Sequence, residues 1–209
     1  MASIAELEAI VAERRETVGE AHPDTLTAML DLAEALWTEG RFARARPLEE
    51  AVVAGRRALY GDAHPDTLKA VGKLAVTVGQ QGDLREARRL QEQVVAGMRA
   101  LYGDDGRDTL RAANNLAGTL AALGDAMAAQ AMLDGAIATL TRAFGPDDAD
   151  TLTAKGNLAA LLWQYGERED AFTLQEQVAD AFRRIRGADD PATRNAEAIL
   201  GSMLGEIGF

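Results

Sequence analysis

The stretch His22-Pro23-Asp24-Thr25-Leu26 returns 42 residues later as His64-Pro65-Asp66-Thr67-Leu68. It then decays through Asp108-Thr109-Leu110, Asp150-Thr151-Leu152 and Asp190-Pro191-Ala192-Thr193. Its threonine therefore recurs at Thr25, Thr67, Thr109, Thr151 and Thr193 with one fixed step. Two glycine series keep the same step: Gly40, Gly82, Gly124 and Gly166, and Gly61, Gly103, Gly145 and Gly187. A period of this length marks stacked units, none of which can bury its apolar face without a neighbour.

Within each period the apolar residues follow helical spacing, with no strict alternation to suggest a strand. Leu26, Met29, Leu32, Ala33 and Leu36 form one stripe, repeated as Leu68, Val71, Leu74, Ala75 and Val78. Leu110, Ala113, Leu116, Ala117 and Leu120 repeat it again, and Leu152, Leu158, Ala159 and Leu162 close the series. Pro23 and Pro65 sit just before these helices, with Asp24 or Asp66 as the expected cap. The glycine at 40, 82, 124 or 166 ends the first helix, because a left-handed backbone suits glycine. In the second unit Asp83 then starts the next helix, and Glu86 three residues on completes a capping-box pattern. Second helices carry Ala45, Leu48 and Val52, then Ala87, Leu90 and Val94, and equivalently Ala171, Leu174 and Val178.

Small residues recur where paired helices must approach: Ala33, Ala75, Ala117 and Ala159 against Ala45, Ala87, Ala129 and Ala171. The expected organisation is one array: a half repeat over 1–21, repeats over 22–63, 64–105, 106–147 and 148–189, and a half repeat over 190–209. That makes about ten helices. The last helix offers Ile199, Leu200, Met203, Leu204, Ile207 and Phe209. Either this end pairs with another chain, which would give a homo-oligomer through terminal helices, or it continues into a longer protein.

Composition narrows the function classes. Hydrophobic residues are 47% of the chain and aromatics 5%, so small aliphatic side chains must fill the core. No apolar run approaches the roughly 18 residues of a membrane span, and no signal peptide is evident at the start. The chain has no cysteine, which removes disulfides, thiolate metal sites and cysteine nucleophiles. A cytoplasmic address follows as the default. The net charge is −11, and an acidic chain suits neither nucleic acid nor an anionic membrane surface. His22 and His64 share one motif position and read as structural, so no metal site is expected. Ser3 and Ser202 are the only serines and lie near the termini, so no serine-histidine-acid set stands out. No enzyme and no cofactor are expected from these residues.

Taken together, His64-Pro65-Asp66-Thr67-Leu68, Gly82-Asp83-Leu84-Arg85-Glu86-Ala87 and Asn114-Asn115-Leu116-Ala117 resemble tetratricopeptide repeats, in the 42-residue version of kinesin light chains. The resemblance implies an all-α, right-handed superhelical solenoid of antiparallel helix pairs. It also implies that first helices line a concave groove that binds a protein or peptide segment. Two groove-facing positions of that family fall on Thr27, Lys69, Arg111 and Thr153, and on Asp31, Lys73, Asn115 and Asn157.

Lys69, Lys73 and Arg111 would form a basic spot for an acidic segment. Asn114, Asn115 and Asn157 would grip a peptide backbone with both donor and acceptor, or else hydrogen-bond neighbouring helices. Trp37 and Trp163 occupy one repeat position three units apart, and the resemblance turns that position inward as aromatic anchors around small residues such as Gly72 and Gly79. The alternative is that both are core. Three functions fit: a non-catalytic binding scaffold; a self-assembling or sensor region of a larger signalling protein; or a small-molecule-binding or catalytic array using the groove.

Overall fold

The structure, a computed structural model, describes residues 2–207. Among the described residues the chain is all-α, with ten helices and no strand. It divides into two compact units, Met1–Gly103 and Asp104–Phe209. The first holds α1 (Ile4–Thr17), α2 (Pro23–Thr38), α3 (Phe42–Tyr60), α4 (Pro65–Gln80) and α5 (Leu84–Tyr102). The second holds α6 (Arg107–Ala122), α7 (Ala126–Phe144), α8 (Ala149–Gln164), α9 (Arg168–Arg186) and α10 (Pro191–Ile207). Inside each unit every helix packs on the next in sequence.

Each helix pair closes through the same turn. Gly82 takes φ of 89°; its N–H donates to the Gly79 carbonyl at 2.9 Å, and the Asp83 N–H donates to Val78 at 3.2 Å. That pair of bonds satisfies carbonyls which would otherwise end the helix unpartnered. The residue after the glycine is also the N-cap of the following helix, and the Asp83 and Asp125 carboxylates accept from the N–H groups of Glu86 and Ala128. One residue thus finishes one helix and begins the next, which fixes the connection at three residues. The expected capping box is half formed. Glu86 turns away from Asp83 and binds Arg89, whose Nε and Nη2 donate at 2.7 and 2.6 Å, because a guanidinium offers charged donors where the cap offers one amide.

The helix entrances differ from expectation as well. The cap is His22 or His64, whose Nδ1 accepts from the Asp24 or Asp66 N–H at 3.2 Å, and the proline lies inside the first turn. Proline fits there because its missing N–H has no helical partner in any case. Asp148 does the same work for α8, accepting from the Asp150 N–H at 3.0 Å. The recurring threonine is buried at the start of the helix, and at Thr25 and Thr151 its hydroxyl reaches back six residues, while the buried hydroxyls of Thr67 and Thr193 have no hydrogen-bond partner. Thr25 donates to Gly19 at 2.7 Å and Thr151 to Gly145 at 2.9 Å, tying those two loops to their helices.

The stripes read from the sequence form the core. Leu26, Met29, Leu36, Val52, Leu68, Val71 and Val78 are fully buried in the first unit, and Leu133, Leu140 and Leu152 in the second. Ala113, Leu158, Leu48 and Leu174 are only half-buried. The paired alanines are all at most 1% exposed. A methyl placed on Gly79 would lie 3.5 Å from the Ala87 methyl, so α4 and α5 meet at van der Waals distance near their turn. On α10, Met203 is buried while Ile199 and Leu204 are exposed; Phe209 and the side chain of Ile207 lie outside the described residues.

Ala87→Leu is expected to cost about 1–3 kcal/mol, since added methylenes in a filled contact force the helices apart. Urea denaturation followed by circular dichroism measures it, and an unchanged midpoint would contradict the close approach.

Candidate functional site

In the first unit a cleft of about 310 Å³ opens between α2 and α4, with α3 beneath it. Glu34, Trp37 and Thr38 come from α2, Glu49 from α3, and Lys73 and Val76 from α4. Trp37 falls near the end of the apolar stripe of α2, where the core no longer covers it, and stays 38% exposed. Its ring meets Phe42 edge-on, with centroids 5.7 Å apart. Lys73 Nζ and Glu34 Oε2 are 2.6 Å apart across the rim. Both are well exposed, and pairs of this kind contribute roughly 0–1 kcal/mol.

Glu49 is the residue that the sequence reading passed over. Its side chain is 4% exposed, and Oε2 has no hydrogen-bond partner. Burial raises its pKa above the ordinary 4.5, against a hydrogen bond with Thr77 and the positive charge of Lys73, while the neighbouring Glu50 adds to the rise. A signal was present. Glu49 lies four residues after Ala45 and three before Val52, on the buried stripe of α3, where a carboxylate breaks the apolar pattern.

In the second unit a smaller cleft of about 190 Å³ is lined by Leu110, Arg111, Asn114 and Asn115 of α6, Leu140 of α7 and Asp150 of α8. Arg107 and Arg111 converge on it. Arg107 donates to Asp150 at 2.8 Å and to Asp148 at 3.0 Å, and Arg111 Nε donates to Asp150 at 2.7 Å. The Arg107 guanidinium also lies 3.9 Å from the centroid of the Phe144 ring. Burial alone would push Asp148 upward, but the Asp150 and Thr151 N–H groups and Arg107 together hold it below the usual carboxylate range. Bonding to Asp150 and the charges of Asp150, Asp108 and Asp148 raise Arg111, against desolvation.

The anticipated site residues are distributed as follows. Trp37 and Lys73 share the first cleft, and Lys69 is exposed on the same helix as Lys73. Arg111, Asn114 and Asn115 share the second. Asn157 Nδ2 donates to Asn114 Oδ1 at 3.0 Å, joining α8 to α6, while Asn115 remains exposed. Trp163 is half-buried; its Nε1 donates to Glu206 at 3.2 Å and Arg168 lies 5.0 Å from its ring centroid. Lys73 and Arg111 each already face a carboxylate, so neither presents a bare charge. Among the described residues no three His, Asp or Glu side chains gather to hold a metal, and no helix is long and apolar enough to cross a membrane.

Tetratricopeptide-repeat models match residues 25–66, 67–108 and 108–184. The chain belongs to the tetratricopeptide-repeat family. Among solved structures it is similar to the repeats of a Podosopora anserina protein named as a putative kinesin light chain with nearly identical TPR-like repeats. A singly substituted form of that protein is 28% identical with a TM-score of 0.71, over 87% of this chain and 85% of that one. Another crystal structure of it gives 27% identity and a TM-score of 0.69, over 88% and 87%. BtubC (BKLC) from P. vanneervenii shares the fold at 20% identity, with a TM-score of 0.75 over 99% and 83%. No protein of curated function matches. The chain is thus a kinesin-light-chain-like repeat protein, and such repeats generally mediate protein–protein interaction.

The burial of Glu49 has a pH signature. A folded-state pKa raised above 4.5 means that the folded chain binds the proton more readily than the unfolded one. Stability is therefore lost as pH rises from 4.5 towards the folded value, and Glu49→Gln removes that loss. The variant should match the parent below pH 4.5 and melt at a higher temperature than the parent near pH 7. Thermal melts across pH measure the difference, with Lys73, Glu34 and Glu50 as the charges facing the site. A variant no more stable at any pH would contradict the reading.

Proposed function

We propose that this repeat protein is a non-catalytic scaffold that holds a segment of a protein partner along the first helices of its pairs. The observation that carries the reading is Trp37, an indole left 38% exposed beside a cleft of about 310 Å³ with charged groups on its rim. A half-open aromatic in a concave site is the kind of residue that dominates binding energy, because it brings a large apolar area and loses little entropy on contact.

In the first unit Trp37 serves as the anchor, and Lys69 and Lys73 as polar contacts. In the second, Arg111 and Asn115 face the segment, the Asn114–Asn157 bond sets the wall behind them, and Trp163 with Arg168 supplies a further stacked surface. An acidic segment would reach Lys73 by exchanging with Glu34, which costs little at an exposed pair. At Arg111 it would compete with Asp150, which is largely buried and holds two guanidinium groups, so exchange there is harder.

Peptides selected from a random display library on the full chain test this. Trp37→Ala with Asn115→Ala should weaken the selected peptides at least tenfold while leaving the helical signal intact, since both side chains are exposed. Unchanged affinity in the folded double variant would retire the groove reading.

A further inference from the structure

The repeats provide an internal control for Glu49. The same position in successive second helices holds Glu49, Gln91, Leu133 and Gln175, and all four side chains are buried. Glutamine carries its own donor, and Gln175 uses it on the Ala196 carbonyl of the neighbouring helix at 2.9 Å. Leucine needs no partner. Glu49 Oε2, Gln91 Oε1 and Gln175 Oε1 are all buried without a hydrogen-bond partner, but only the carboxylate of Glu49 is acceptor-only and resists burial because it can carry a charge. Glu49 Oε2 belongs to a side chain lining the cleft that also presents Trp37 and Glu34. Glu49, Glu34 and Lys73 sum to one negative charge around an aromatic face.

We propose that the cleft between α2, α3 and α4 receives the cationic side chain of a partner segment, a lysine ammonium or an arginine guanidinium. Its N–H groups donate to the carboxylates of Glu49 and Glu34, and its charge lies against the indole of Trp37. The inference rests on the partner-binding reading and specifies what the first unit selects. Lys73 on the rim opposes a second cation, but its charge is met by Glu34, and the other features of the cleft suit that ligand. Charge-assisted donors satisfy the orphaned oxygen. The indole face attracts a cation, more strongly where water is excluded. Val76 accommodates the aliphatic stem that lysine and arginine bury while their heads stay polar. Lys73 holds Glu34 on the rim but leaves Glu49 Oε2 without a bond. The raised pKa of Glu49 adds that the carboxylate is short of positive partners in the free protein, so a bound cation should lower it.

The test uses the full chain and three blocked tripeptides: acetyl-Ala-Lys-Ala-amide, the same with norleucine, and the same with glutamate. The chain has two tryptophans, so their indole N–H signals can be followed separately by NMR, and the signal absent from Trp37→Phe identifies Trp37. The lysine peptide should shift the Trp37 signal saturably, the norleucine peptide should not at the same concentration, and E49Q should weaken the lysine peptide by about tenfold. E49Q should also melt no lower than the parent, so that lost binding is not lost folding. Equal shifts with norleucine and lysine, or full affinity in E49Q, would overturn the cation site. A glutamate peptide shifting Trp37 while the lysine peptide does not would overturn it too, leaving Trp37 as a groove anchor. No shift with any peptide would count against the cation site alone, since the library peptides test the groove separately.

Discussion

One residue shared between two helices sets the geometry of this protein. In each pair the turn glycine adopts a left-handed backbone, and the residue after it closes the C-terminus of the first helix and stands at the N-cap position of the second, where Asp83 and Asp125 add a side-chain bond and Arg41 and Glu167 do not. Because both ends draw on the same three-residue connection, the helices must leave the turn side by side. They can do so only if the side chains nearest the turn are small, and the eight alanines with Gly79 meet that demand. The second connection is tied down independently at Thr25 and Thr151, whose hydroxyls reach back to a glycine carbonyl. The 42-residue period is the sum of these two closures and the helix lengths they allow.

Against so regular a frame, departures from the period become informative. Arg107 stands where the first two repeats have proline, and its cap residue Gly106 offers no side chain. Instead the guanidinium binds the carboxylates of α8 and covers Phe144, so a local cap has been exchanged for a bond between helices. Glu49 stands where later repeats have glutamine or leucine, and there the compensation is partial: Thr77 bonds the carboxylate, but Oε2 has no partner. The first substitution explains itself through contacts within its own unit. The second leaves a desolvated oxygen at the edge of a cleft, which is why it points to a partner.

The two clefts also differ in electrical character although they occupy comparable places on their first helices. In the second unit both arginines are drawn onto Asp150, and the asparagines bond to one another, so most polar capacity is spent internally. In the first unit a single exposed Lys73–Glu34 pair spans the rim above a carboxylate that lacks a full set of partners. Local balances of charge thus set the character of each cleft, while the overall −11 acts mainly on solubility and on the encounter with other molecules.

The helix pairs, their turns and the core stripes were legible in the chain alone, because these obey a helical period of about 3.6 residues and a repeat of 42 residues. The sequence also brought out Trp37, Lys73, Arg111 and the asparagines as residues of the first helices. It misplaced the entrance caps, since Asp24 and His22 are equally good candidates on paper and only backbone geometry selects the imidazole. It could not tell which cations were already paired: Lys73 with Glu34 and Arg111 with Asp150 are 39 residues apart, joined by packing that no local pattern records. Glu49 needed both kinds of information. Its odd place on an apolar stripe was legible, but whether its oxygens found partners was settled only when α2, α3 and α4 came together around it.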